Sequence, residues 1–348
     1  MKSRALTYLL LLLMLASCGM GGKNASSADA VVDAWVLSAP SGMSVDTMDI
    51  DDMDIKNPFI LYNNESDMYC MVADGGYMWL SKNLRMWEGP YSVLMQDSAS
   101  WIGESPVVTS PEIHKHGGKY YYMATFERTD TMVMGTDGKL FARCSCVALV
   151  ADDVTGPYRT IDVNSNLLDV SEKAQHPTYC TDEYGVGYMI YNHDACQNGD
   201  GTVQIVRFTD DFGRRMGEAY VMFTASQNTW SRTSGGKDTF SPVIESPYLF
   251  ITDEGGMGIL FTTYMGAEKA LGVAYSETGH LNGPWVIEPE PLVTGNVGGA
   301  MMFTDYDGTL VMVAQKDTIM DGVQKSMTRF YKMDSQFEKL QIKGYYKF

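Results

Sequence analysis

The chain is poor in basic residues: 26 Lys and Arg stand against 43 Asp and Glu, a formal net charge of −17. Nucleic acid is bound through clustered cationic side chains, so that partner class is excluded. Spacings of the CxxC or HExxH kind are missing, and the reading includes no metal and no cofactor. Long apolar runs are scarce. The main one, Ala5–Leu15, is well short of the ~20 residues that a spanning helix needs. Helical periodicity is almost absent after residue 30, which argues against a helical core. Cysteines number only six in 348 residues, and a chain of this size does not depend on disulfide staples.

What is present points to strands. The apolar fraction of 45% and charged fraction of 20% support a sizeable core and exclude global disorder. Gly 34, Tyr 21, Phe 13 and Trp 6 make the chain turn-rich and aromatic-rich. At the N-terminus, Lys2 and Arg4 precede the apolar run, which closes on Leu15-Ala16-Ser17-Cys18. This has the form of a bacterial lipoprotein signal, cut before a cysteine whose thiol is then lipidated. Residues 1–17 are read as signal peptide, 18–40 as tether and 41–348 as the folded domain. The expected product is exported and held at the bacterial cell envelope, at the outer membrane, through the Cys18 lipid anchor alone. The remaining Cys70, Cys144, Cys146, Cys180 and Cys196 are odd in number and are expected as buried free thiols.

A turn with Gly followed by an aromatic or aliphatic run recurs five times. It appears at Asp74-Gly75-Gly76-Tyr77, Gly117-Gly118-Lys119-Tyr120, Asp182-Glu183-Tyr184-Gly185, Asp253-Glu254-Gly255-Gly256 and Asp305-Tyr306-Asp307-Gly308. Such turns between strand-like runs signal hairpins. Gly-Pro-aromatic follows in three places, Gly89-Pro90-Tyr91, Gly156-Pro157-Tyr158 and Gly283-Pro284-Trp285, as suits an edge strand. A sandwich gives no reason for five repeats. The fold class is all-β, a five-bladed β-propeller.

Segments that open the units should surround a central pocket. They are Lys56-Asn57-Pro58, Ser110-Pro111-Glu112, Gln175-His176-Pro177, Glu245-Ser246-Pro247 and Gly298-Gly299-Ala300. A proline holds its predecessor extended and so aims that side chain. These segments, with Ser110–Phe126 (SPEIHKHGGKYYYMATF), Asp182–Tyr191 and Asn282–Ile287, resemble glycoside hydrolase family 43 over about residues 50 to 345. The family is one of five-bladed propellers acting on arabinans, xylans and related plant polysaccharides. The resemblance implies inverting hydrolysis of arabinose- or xylose-containing glycans by a general base, a pKa-tuning Asp and a general acid.

Glu245 falls on the acid. The base falls on Asn57, the tuner on His176 and a pocket-floor His on Ala300, so three positions depart from the family pattern. An amide cannot take a proton from water, so Asn57 cannot be the base. Glu112 and Asp194 are the candidates for relocated carboxylates; Asp194 stands where one branch of the family has the Glu of a His-Glu-Trp motif. Asp54 is a further acid that could reach the rim. Asn57, His176, His193, Trp101 and Trp230 are expected to bind substrate, the two indoles by stacking on a sugar face. The alternative is a catalytically impaired propeller, a pseudoenzyme that binds oligo- or polysaccharide in a carbohydrate-uptake system.

Overall fold

The computed structural model describes residues 35–348 apart from 96, 162–167, 170, 234–240 and 336–338. The signal peptide, Cys18 and most of the tether lie outside the described residues. Five sheets follow one another along the chain, each made of consecutive strands. Among the described residues pairing is antiparallel except for a short parallel contact of Arg232–Thr233 with Met265–Gly266 and a single parallel bridge of Leu94 with Tyr158. The innermost strands of blades I to V are Phe59–Asn63, Val107–His116, Ala174–Thr181, Glu245–Ile251 and Val297–Thr304. Each touches the innermost strands of the two neighbouring blades, which closes the ring and confirms the five-bladed propeller. The one α-helix among the described residues is Ala195–Asn198.

Blades bury both faces against their neighbours, so their second strands read as continuous apolar runs rather than alternations. Met68–Ala73 and the Tyr120–Phe126 part of Lys119–Met134 are of this kind. The Asp-containing turns have a specific cause. Asp182 Oδ1 accepts the N–H groups of Tyr184 and Val186, and Asp305 Oδ1 those of Asp307 and Thr309. A short carboxylate thereby replaces strand partners where the chain reverses. At the outer edge, Tyr158 Oη donates to the Val154 carbonyl (2.8 Å) and Trp285 Nε1 to that of Leu281 (3.1 Å), and all three Gly–Pro bonds are cis.

Ring closure joins the first blade to the last. Ile55 N–H donates to the Ser326 carbonyl, and Ser326 N–H to Asp54 Oδ1, both at 2.8 Å. One hydrophobic cluster runs from Ile60, Met71 and Val72 of blade I to Met301, Val311 and Phe330 of blade V. Asp54 is thus a closure residue rather than a rim acid. Two further expectations are corrected. Residues 35–40 belong to the propeller and not to the tether: Trp35 Nε1 donates to the Thr155 carbonyl, Leu37 packs on the core and Ser38 bridges Ser92. Among the thiols, Cys70, Cys144, Cys146 and Cys180 are free and buried, but Cys196 is exposed on the short helix.

Candidate functional site

Four of the five innermost strands carry the same distortion near their start. Register shifts fall between Thr109 and Glu112, Gln175 and Thr178, Glu245 and Tyr248, and Gly298 and Met301. Within each, one residue is left-handed: Ser110 (φ 47°), His176 (53°), Ser246 (49°) and Gly299 (53°), with Asn57 (49°) at the matching place in blade I. The expectation that proline would hold its predecessor extended is therefore overturned. In four blades that predecessor sits at positive φ, a conformation that costs a non-glycine residue about 1–3 kcal/mol and that persists only where surroundings impose it.

The surroundings do so through a repeated contact. A bulge takes the residue's N–H out of its own ladder, and a buried N–H needs an acceptor. The next blade's N–H is met by a side chain on the second strand of the preceding blade or, for Asp74, on the residue just after it. Ser110 N–H donates to Asp74 Oδ1 (2.8 Å), His176 N–H to Thr125 Oγ1 (2.7 Å), Gly299 N–H to Thr262 Oγ1 (2.9 Å) and Asn57 N–H to Gln315 Oε1 (3.0 Å). Thr125, Thr262 and Gln315 sit opposite Thr109, Glu245 and Gly298 in the register, and Asp74 N–H donates to the matching Lys56 carbonyl. Asn192 occupies the corresponding place in blade III, where its Oδ1 lies 2.6 Å from His176 Nδ1. Four contacts thus latch successive blades together around the axis.

The left-handed residues, with Phe59, Glu112, Tyr248 and Met301, line an axial pocket of about 30 Å³, room for a water or two rather than a sugar ring. Substrate would therefore have to sit above it. Asn57, His176 and Glu112 converge here as expected. Glu245 stands one residue before the lining Ser246, half-buried, and its charge acts on Tyr264 and Lys269. Lys269 Nζ is paired with Asp317 Oδ2 at 2.9 Å. Burial disfavours the ammonium, but that carboxylate outweighs it and raises the lysine pKa.

The two candidate relocated carboxylates are already engaged. Glu112 is 8% exposed, with Oε2 at 2.7 Å from His114 Nε2. Burial pushes its pKa up, against the opposing effect of His114. Asp194 caps the short helix through Cys196 N–H and pairs with Lys173 at 2.8 Å. Burial opposes its ionisation, yet those two partners prevail and hold its carboxyl below the usual range. His193 is buried with Nε2 at 2.6 Å from Gln197 Oε1. Neither indole stands free: Trp101 lies under the Arg143 guanidinium at 4.5 Å, and Trp230 stacks on Phe261 and donates to the Glu288 carbonyl. Among the described residues no group of three His, Cys, Asp or Glu is arranged to hold a metal.

Sequence reasoning placed Asp74 correctly in the hairpin turn between Met68–Ala73 and Tyr77–Ser81 but missed its carboxylate as a site group. Its carboxylate accepts from Asn57 Nδ2 at 3.0 Å (Oδ1) and 3.2 Å (Oδ2) besides Ser110 N–H. Burial raises its pKa, opposed by those two donors and by the charges of His176 and Lys56. Asn57 Oδ1 lies over Gly299, where an added Cβ would come within 2.4 Å of it.

Residues 45–325 match the family model for glycosyl hydrolases family 43. A search of curated protein sequences finds no match. Among solved structures, the chain is similar to an endo-arabinase from Bacteroides thetaiotaomicron VPI-5482, with TM-score 0.70 and 24% identity over 83% of this chain and 99% of that one. It is also similar to an endo-1,4-beta-xylanase from the same organism, with TM-score 0.63 and 17% identity over 86% and 97%. A third is an alpha-L-arabinanase from Cellvibrio cellulosa, with TM-score 0.59 and 14% identity over 84% and 96%. At these identities the similarity establishes the fold.

Proposed function

Because the chain belongs to glycosyl hydrolase family 43, we propose that it cleaves O-glycosidic bonds in arabinose- or xylose-containing plant glycans, with inversion at the anomeric carbon. The observation that carries this reading is the position of Glu245. It is half-buried at the blade IV bulge, beside an axial ring to which all five blades contribute and in which Asn57, Ser110, Glu112, His176 and Ser246 are polar. From there its carboxyl would protonate the leaving oxygen while a second carboxylate, about 6.5–9.5 Å away, takes a proton from the attacking water. His176, with Nδ1 fixed by Asn192, and Asn57 would contact the sugar from the pocket wall. The arabinase and xylanase likenesses support the substrate class.

Turnover of arabino- and xylo-oligosaccharides, followed by reducing-end release and by NMR of the first-formed anomer, tests the proposal. Glu245→Gln should lower kcat/KM by ~10²–10⁴-fold, the span that general acid catalysis supplies. Turnover unaffected by that change would remove Glu245 from the mechanism. The second reading, a propeller that binds glycan without cleaving it, is favoured by the amide at Asn57 and the methyl at Ala300. A wild-type chain that binds these glycans in calorimetry but releases no product would establish it. The proposal places the protein at the cell envelope through Cys18. Cys18→Ser should move it from the membrane to the soluble fraction, and unchanged fractionation would sink the anchor.

A further inference from the structure

We propose that the carboxylate of Asp74 is the general base of this site, in the role that the Asn57 amide cannot fill. This rests on the hydrolase reading above and names the missing half of its acid–base pair. The first argument is that Asp74 exceeds its structural duty. The same inter-blade latch is made by a hydroxyl at Thr125 and Thr262 and by an amide at Gln315. An acceptor oxygen is all the latch requires, yet blade I alone places a carboxylate there.

A second argument comes from the pocket wall. Asn57, at the position of the family's base, turns its amide nitrogen onto Asp74. The negative charge is thus one side chain away from where Asn57 lacks it. Oδ1 takes Ser110 N–H and the shorter Asn57 contact, so Oδ2, with only the 3.2 Å contact, is the oxygen left to receive a proton. Access is the third. Asp74 is half-buried, and the two residues that donate to its carboxylate, Asn57 and Ser110, both line the axial pocket.

In the step, a water oxygen bonds to the anomeric carbon and gives one proton to Asp74 Oδ2. The bond from that carbon to the leaving oxygen breaks with its electron pair, and Glu245 supplies the proton to that oxygen. Solvent then takes the proton from Asp74 and returns one to Glu245, so the cycle closes with one water consumed.

Asp74→Thr separates the two duties, because threonine already makes the latch in blades II and IV. On arabino- and xylo-oligosaccharides this variant should lose ~10²–10⁴-fold in kcat/KM while its unfolding midpoint stays near that of the wild type. Asn57→Asp combined with Asp74→Thr should regain at least about tenfold over Asp74→Thr, and should shift the acid limb of the pH–rate profile. If Asp74→Thr fails to fold, the comparison moves to Asp74→Asn with and without Asn57→Asp, where recovery supports the assignment and its absence overturns it. Asp74→Thr at the wild-type rate, with Glu245→Gln inactive, would overturn Asp74 and leave the hydrolase reading standing. Loss of neither activity would instead break the site assignment itself, and an inert wild type would overturn Asp74 as base.

Discussion

Thr262→Val tests the latch where no chemistry is at stake. Thr262 is 2% exposed, and its Oγ1 accepts Gly299 N–H at 2.9 Å across the boundary between blades IV and V. Valine keeps the volume and replaces the acceptor with a methyl group, which leaves a buried N–H unpaired. Such a group costs about 1–3 kcal/mol. Taking about 2 kcal/mol, and a urea slope of about 3 kcal/mol/M for a chain of this size, the midpoint should fall by about 0.7 M. The slope should not change, since no new surface is exposed on unfolding. Urea titration followed by tryptophan fluorescence and by circular dichroism measures both. A midpoint within about 0.2 M of wild type would mean that Gly299 N–H does not depend on Thr262, and the ring of side-chain acceptors would lose its role in holding the blades.

Two further outcomes follow from the packing and the buried acid. A Cβ at Gly272 would lie 2.4 Å from Phe261 Cζ and 2.9 Å from Trp230 Cζ2, inside a ring stack with an interplanar angle of 16°. Gly272→Ala should therefore cost about 1–3 kcal/mol by overpacking, and a variant as stable as wild type in a thermal melt would show that the stack yields freely. Glu112 has a raised pKa from burial and faces His114 and Tyr248. A raised carboxyl stabilises the fold fully below its unfolded pKa, and that contribution is lost as pH rises through the folded value. Glu112→Gln, which cannot ionise, should thus lose less stability than wild type between the ordinary carboxylate range and neutrality; parallel pH–stability curves would contradict this.

The fold was legible because its punctuation is local. Asp182 and Asp305 build their turns from N–H groups within four residues, so the pattern is visible in a short stretch of sequence. The Gly-Pro-aromatic stretches likewise bond an aromatic side chain to a carbonyl four residues back at Tyr158 and Trp285. Ring closure is another matter. It relies on Ser326 meeting Ile55 and Asp54 from the far end of the chain, and nothing near Asp54 announces that partner. The same holds for Trp35, whose partner lies 120 residues on.

The site was legible as positions and not as contacts. Asn57, Glu112 and His176 do converge, because the five opening segments each carry one left-handed residue at the matching place. Their conformations were misjudged, since proline's local preference for an extended predecessor gives way to a latch supplied by another blade. Asp74 shows why the inventory of acids was incomplete. In sequence it is one more Asp before two glycines, indistinguishable in kind from the turn residues of blades III to V. As the first turn residue after the strand Met68–Ala73, it donates its N–H to the Lys56 carbonyl and meets Ser110, 36 residues away, where its carboxylate replaces the hydroxyl that blades II and IV use. Asp182 and Asp305 serve their own turns, whereas Asp74, also a turn residue, serves two blades and holds Asn57. Where repeats are aligned on one another, the informative residue is the one whose charge exceeds what its counterparts need for the same contact.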